Sequence, residues 1–147
     1  MTYTAGEKPA FGDHAMLGTV LIVDDDASVR DTARLALARE GYGILTASDG
    51  HTAIELMSMT DVASKVCVLL CDLEMPHVNG KELIDHFRMR FPSIPIVVLS
   101  GASDEVYLEG IAQEGVCDWL RKPFTREVLL EKVRTASNLF TLRQGGR

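Results

Sequence analysis

The chain has no excess of basic charge: 15 Lys and Arg stand against 21 Asp and Glu, for a formal net charge of -6. Phosphate contacts to nucleic acid come chiefly from Lys and Arg, so this balance argues against direct nucleic-acid binding. Long hydrophobic runs are missing as well. None approaches the roughly 20 apolar residues that span a bilayer, and the N-terminus has no basic segment followed by an apolar one. The expected compartment is the cytoplasm, with no membrane partner. Cysteine is scarce and odd in number, and Cys67, Cys71 and Cys117 have no metal-type spacing. Cys67 and Cys71 share one apolar run, where a thiol packs as a small hydrophobe. Cys71 is expected to lie buried beside Asp72 without acting there. Internal repeats and low-complexity tracts are absent.

What is present suits one compact domain: 147 residues, 46% of them apolar. Residues 1–17 carry Gly, Pro and charged residues with neither apolar period and read as a flexible leader; 18–140 form the domain, and 141–147 a fraying tail. Within 18–140, short β-branched runs alternate with helix-period segments, the mark of a parallel sheet covered by helices on both faces, a three-layer α/β sandwich. Strands are expected at 19–23, 44–47, 66–71, 94–99 and 117–120. The first helix buries Val29, Ala33, Ala36 and Leu37 and stops at Gly41; Ala53, Ile54 and Met57 mark the second. Residues 80–90 form a third with Leu83, Ile84 and Phe87 inward, and 104–114 a fourth. The last starts behind Thr125 as N-cap with Val128, Leu129, Val133 and Ala136 on one stripe.

Two of the strand-like runs end on acids: Val20-Leu21-Ile22-Val23-Asp24-Asp25 and Val66-Cys67-Val68-Leu69-Leu70-Cys71-Asp72. In open parallel sheets ligands gather outside the carboxyl ends of the strands, where Asp24, Asp25, Asp72, Ser100 and Lys122-Pro123 all fall. Three carboxylates brought together there repel one another unless a cation neutralises them. An oxygen-only donor set suits Mg²⁺, which binds through one or two carboxylates and keeps positions for water and phosphate. Asp72 then becomes a candidate nucleophile toward a phosphoryl group. Taken singly, each residue also has an ordinary reading: Asp72 as a turn cap, Ser100 before Gly101 as turn chemistry, Lys122 as a solvated surface charge. Asp26 and Ser28 read as the N-terminal cap of the first helix. In company, the Ser100 hydroxyl can donate to a phosphoryl oxygen and the Lys122 ammonium can pair with it as a point charge.

These residues, with Leu73-Glu74-Met75-Pro76 after Asp72, Asn79-Gly80, Ser100-Gly101 and Lys122-Pro123-Phe124, resemble the response-regulator receiver domains of bacterial two-component signalling, over about Leu17 to Leu139. The resemblance implies a flavodoxin-like, doubly wound sheet of five parallel strands in the order 2-1-3-4-5 with five helices. It implies that Asp72 accepts a phosphoryl group from a histidine kinase or histidine phosphotransfer protein. Asp24, Asp25, Asp72 and the backbone carbonyl of Glu74 would bind Mg²⁺, Asp24 partly through water, and Ser100 and Lys122 would hold the phosphoryl oxygens. Switching would couple Ser100 to an aromatic residue three positions before the Lys, and change contacts with a downstream protein or a second copy of the chain on the 104–114 helix, the fifth strand and the last helix. Here that aromatic position holds Trp119, where the family usually has Tyr or Phe, and it reads equally as a moving switch residue or a half-exposed aromatic on an edge strand.

Within the same resemblance stand a phosphorelay shuttle, a phosphate sink and a receiver excised from a hybrid kinase. A different class is an Asp-nucleophile phosphatase similar to the haloacid dehalogenases, whose Asp-x-Asp spacing Asp24 and Asp26 match. A receiver-like fold that binds partners without phosphorylation is a third.

Overall fold

The computed structural model describes residues 17–73, 80–101 and 116–145. Its framework is one sheet of five strands, β1 (Thr19–Val23), β2 (Gly43–Ala47), β3 (Val66–Asp72), β4 (Ile96–Ser100) and β5 (Asp118–Arg121). All neighbours pair in parallel in the order β2-β1-β3-β4-β5, the doubly wound arrangement expected. The described helices are α1 (Ala27–Arg39), α2 (Gly50–Met57), α3 (Thr60–Ala63), α4 (Gly80–Arg90) and α5 (Arg126–Gly145). The helix expected over 104–114 lies outside the described residues. None of the described helices is long and apolar enough to cross a membrane.

Strand alternation sorts the core into two layers. Leu21 and Val23 of β1, Leu69 and Cys71 of β3, and Val98 of β4 pack with Ala53 and Leu56 of α2, Val62 of α3 and Leu83, Ile84 and Phe87 of α4. Val20, Ile22, Leu70, Val97 and Leu99 point the other way, onto Ala33, Ala36 and Leu37 of α1 and Leu129, Val133 and Ala136 of α5. Strands buried on both faces read as unbroken apolar runs rather than alternating ones, which is what 19–23 and 66–71 show.

Local chemistry sets the ends of the helices. Asp26 caps α1, accepting from the Ser28 N–H (2.9 Å) and the Ser28 hydroxyl (2.7 Å). The turn after α1 places Gly41 at φ +101, a left-handed conformation in which an L side chain is strained. Asp49 caps α2 through the Thr52 N–H (2.8 Å), and Thr125 caps α5 through the Val128 N–H (3.2 Å).

Several details depart from expectation. β4 begins at Ile96 rather than Ile94, because the Ile94 N–H closes a turn onto the Phe91 carbonyl (3.0 Å); β4 then runs on through Ser100. α3 is a single turn with no apolar period of its own to announce it. In β3, Thr19 pairs with Val66 but Val20 with Val68, so Cys67 is the extra residue of a bulge and joins the same core layer as Val68. Val128 is 39% exposed, which narrows the inward stripe of α5 to Leu129, Val133 and Ala136, with Phe140 half-buried beyond. α5 also continues to Gly145, past residue 140 where the sequence pattern ends the domain, with Leu142 on its outer side.

Phe87 is fully buried and stacks at a tilt on Phe91, ring centres 5.3 Å apart. Its replacement by Ala is expected to cost about 3–5 kcal/mol, read as a lower urea midpoint at unchanged slope; a loss under about 1 kcal/mol would show that α4 does not anchor this layer.

Candidate functional site

Three carboxylates meet at the carboxyl edge of the sheet. β1 and β3 are adjacent and in register there, Val23 beside Cys71, so Asp24 just beyond β1 and Asp72 at the end of β3 stand side by side. Oxygens of Asp24, Asp25 and Asp72 all lie within 4.8 Å of one another. Asp24 is fully buried, Asp72 is 6% exposed and Asp25 faces solvent. Such crowding of like charge needs a counter-charge, and Lys122 from the end of β5 supplies part of it. Its Nζ stands 2.7 Å from Asp24 Oδ2 and 3.3 Å from Asp72 Oδ2.

Lys122 is itself perturbed. Burial pulls its pKa down, but the close contact with Asp24 and the charges of Asp72 and Asp24 outweigh burial, and the pKa is raised above the ordinary lysine value. A raised folded-state pKa means that the ion pairs stabilise the fold throughout the range below the unfolded lysine value and are lost only as pH climbs through the folded one, in the alkaline region. At neutral pH the ammonium is in place.

Every polar atom of Asp24 is engaged from within the protein. Its N–H donates to the Ala47 carbonyl (3.2 Å), its Oδ1 accepts from the Asp26 N–H (2.9 Å), and its carbonyl accepts from Arg30 Nη1 (2.7 Å). Oδ2 faces the Lys122 ammonium as an ion pair without receiving an aligned hydrogen bond. Asp26, by contrast, spends its carboxylate on the α1 cap, which leaves the Asp24-x-Asp26 spacing without its second acid in the site.

Ser100 ends β4, next to Asp72 in the edge of strand ends. It is fully buried, and its Oγ has no hydrogen-bond partner among the described residues. Its carbonyl accepts from the Lys122 N–H (2.8 Å), tying the hydroxyl-bearing residue to the ammonium-bearing one. An unpaired buried hydroxyl costs about 1–3 kcal/mol and is relieved by an acceptor such as a phosphoryl oxygen. The Lys122-Pro123 peptide is cis.

The donor set fits a magnesium ion. Bound at about 2.1 Å, two ligand oxygens stand roughly 3 to 4 Å apart, so carboxylates within 4.8 Å close onto one ion by small side-chain rotations. All the donors are hard oxygens. Cys71, next to Asp72 in sequence, is fully buried; burial first and the charges of Asp72 and Asp24 next push its thiol far up, so it remains protonated.

The expected residues Asp24, Asp25, Asp72 and Lys122 are thus brought together, with Ser100 beside them. Glu74 lies outside the described residues. Trp119 is on the edge strand, 43% exposed, and not in the cluster. Two contributors had no assigned role in the sequence reading. Arg30 sits on the first turn of α1, and helical side chains lean toward the N-terminus, so its spacing of six from Asp24 is the signal that finds it. Gly80 starts α4 against the end of β3: its N–H donates to the Leu73 carbonyl (3.1 Å), and an added Cβ would stand 2.6 Å from Leu73 Cα and press on the Asp72 carbonyl.

Comparison with known proteins points one way. The family described as response regulator receiver domain matches residues 20–134. The hydrogenase transcriptional regulatory protein HoxA of Cupriavidus necator is 34% identical over 119 residues, 80% of this chain and 24% of that protein. Response regulator MprA of Mycolicibacterium vanbaalenii is 35% identical over 117 residues, 78% of this chain and 48% of that protein. The CAI-1 autoinducer sensor kinase/phosphatase CqsS of Vibrio cholerae is 32% identical over 117 residues, 78% of this chain and 16% of that protein. The chain therefore spans less than half the length of each. In fold, a response regulator receiver domain protein from Clostridium thermocellum superposes with a TM-score of 0.79 at 23% identity, covering 85% of this chain and 98% of that one.

Two substitutions test the geometry. Lys122→Met removes the cation that competes for the acidic pocket, and calorimetric titration is expected to show Mg²⁺ binding several-fold more tightly; unchanged or weaker binding would show that the ammonium stands outside the ion's field. Gly80→Ala is expected to cost about 1–3 kcal/mol by overpacking, and thermal unfolding at the wild-type temperature would show that α4 has room to move away from Asp72.

Proposed function

The chain belongs to the response-regulator receiver domains, and from that premise we propose that Asp72 is its phosphoacceptor. An Asp72 carboxylate oxygen attacks the phosphorus of a phosphohistidine on a histidine kinase or phosphotransfer protein. The new O–P bond forms as the P–N bond breaks, and the donor imidazole leaves with the bonding pair. The product is an aspartyl phosphate, a reactive acyl phosphate that water hydrolyses, so the signal is transient.

Phosphoryl transfer asks the protein mainly for alignment and for charge opposite the three equatorial oxygens. Asp24, Asp25 and Asp72 would hold a magnesium ion, with the Glu74 backbone carbonyl as a further ligand. The ion supplies positive charge against the transferring oxygens and relieves the repulsion between an anionic nucleophile and an anionic phosphoryl group. Lys122 serves the same end from just beyond β5, moving its ammonium from carboxylate to phosphoryl oxygen. Ser100 donates its otherwise unpaired hydroxyl to another. The convergence of three acids with Lys122 at one sheet edge is the observation that carries this reading.

Ser100 is also the origin of the switch: turning its hydroxyl toward a phosphoryl oxygen frees space at the end of β4. Trp119, on the neighbouring strand, stands outside in the state described here. Any response of Trp119, and of the surface of β5 and α5 offered to an output protein or a second copy of the chain, belongs to the phosphorylated state.

Incubation with acetyl phosphate and Mg²⁺ is expected to add one phosphoryl mass to the wild-type chain and none to Asp72→Asn or to a sample held in chelator. An adduct persisting in Asp72→Asn would place the acceptor elsewhere, and multiple turnover of simple phosphomonoesters would mark a phosphatase.

A further inference from the structure

Resting on the metal-binding reading above, the geometry assigns to Arg30 a part in it: Arg30 is the positioning residue that orients Asp25 toward the ion by clamping the peptide between Asp24 and Asp25. Asp24 needs no such help with its side chain, since Oδ1 is held by the Asp26 N–H and Oδ2 by Lys122. Among the described residues, nothing gives Asp25 a comparable frame. It stands exposed in the short link between the end of β1 and the Asp26 cap of α1.

The Asp24 carbonyl and the Asp25 N–H belong to one planar peptide unit. Arg30 Nη1 donates to that carbonyl at 2.7 Å, and a hydrogen bond from a charged donor is shorter and stronger than a neutral one. Holding the carbonyl holds the plane from which the Asp25 backbone departs, and so the direction its carboxylate takes into the triad. The anchor is rigid because α1 itself is pinned by the Asp26 cap and by burial of Ala33 and Leu37. In chemical terms Arg30 touches neither metal nor phosphoryl group; it acts through the backbone of a ligand.

This assignment predicts a sign opposite to plain electrostatics. As a cation near the pocket, Arg30 repels Mg²⁺, and its removal on that ground alone would tighten binding. As a positioning residue, its removal loosens binding, and loss of a partner that orients a metal ligand typically costs 10–100-fold in affinity.

The test is calorimetric Mg²⁺ titration of the full chain as wild type, Arg30→Met and Arg30→Lys, with thermal unfolding of each in chelator. Arg30→Met is expected to weaken Mg²⁺ binding about tenfold, with a melting temperature in chelator close to wild type. Arg30→Lys, which keeps a charged donor, is expected to recover part of the loss. Acetyl phosphate labelling of Arg30→Met should regain the wild-type rate at saturating Mg²⁺ while needing more Mg²⁺ to reach half of it. Equal or tighter binding by Arg30→Met overturns the assignment, as does a loss that Arg30→Lys shares in full together with a fall in melting temperature, which marks a structural residue only. Wild-type protein that binds no Mg²⁺ overturns the metal-binding reading, and this inference with it.

Discussion

Repulsion among three carboxylates at one end of a sheet is the constraint on which the site depends. Folding forces it, because β1 and β3 are hydrogen-bonded neighbours and both lead into acids at the same edge. Lys122 relieves part of the repulsion through two short contacts. What remains is a pocket of net negative charge, whose hard oxygen donors fit a divalent cation. Under the proposed function, the same ammonium that stabilises this site would change partners when a phosphoryl oxygen arrives.

The rest of the fold serves to keep that edge rigid. Two apolar layers, one under α2, α3 and α4 and one under α1 and α5, bury both faces of the sheet, so the strand ends have little freedom to spread apart. α4 begins against the backbone of Asp72 and Leu73, a contact that only a glycine at position 80 allows. The β4 and β5 ends are joined by the Lys122 N–H to the Ser100 carbonyl, so the Ser100 hydroxyl and the Lys122 ammonium are carried on one tied backbone unit. Among the described residues, the buried side-chain polar atoms left without hydrogen bonds, Ser100 Oγ and Asp24 Oδ2, both lie at this site, where a fold departs from its stability optimum.

Legibility in the sequence followed the physics of burial. Strands covered on both faces announce themselves as continuous apolar runs, and an acid that ends such a run is conspicuous; hence Asp24, Asp25 and Asp72 and the order of elements were readable. Helix caps at Asp26 and Thr125 and the glycine at 41 were readable because each answers a local backbone need. What was not readable depends on partners distant in sequence. The bulge at Cys67 arises from pairing with β1, and α3 is too short to show a period. Val128 is apolar, yet it points outward because α5 offers the sheet only a narrow stripe. Arg30 meets the Asp24 carbonyl only because its side chain reaches back over the first turn, a contact set by the fold. Trp119 had two readings, and the structure places it half-exposed on the edge strand.

A crystal structure of the chain with Mg²⁺ and beryllofluoride, a mimic of the acyl phosphate, tests the central claim most directly. The account predicts the beryllium group on an Asp72 carboxylate oxygen, the ion between Asp25 and Asp72, and both Ser100 Oγ and Lys122 Nζ within hydrogen-bonding distance of fluorine. A mimic bound elsewhere, or bound at Asp72 with Lys122 still paired to Asp24 and Ser100 turned away, would contradict it.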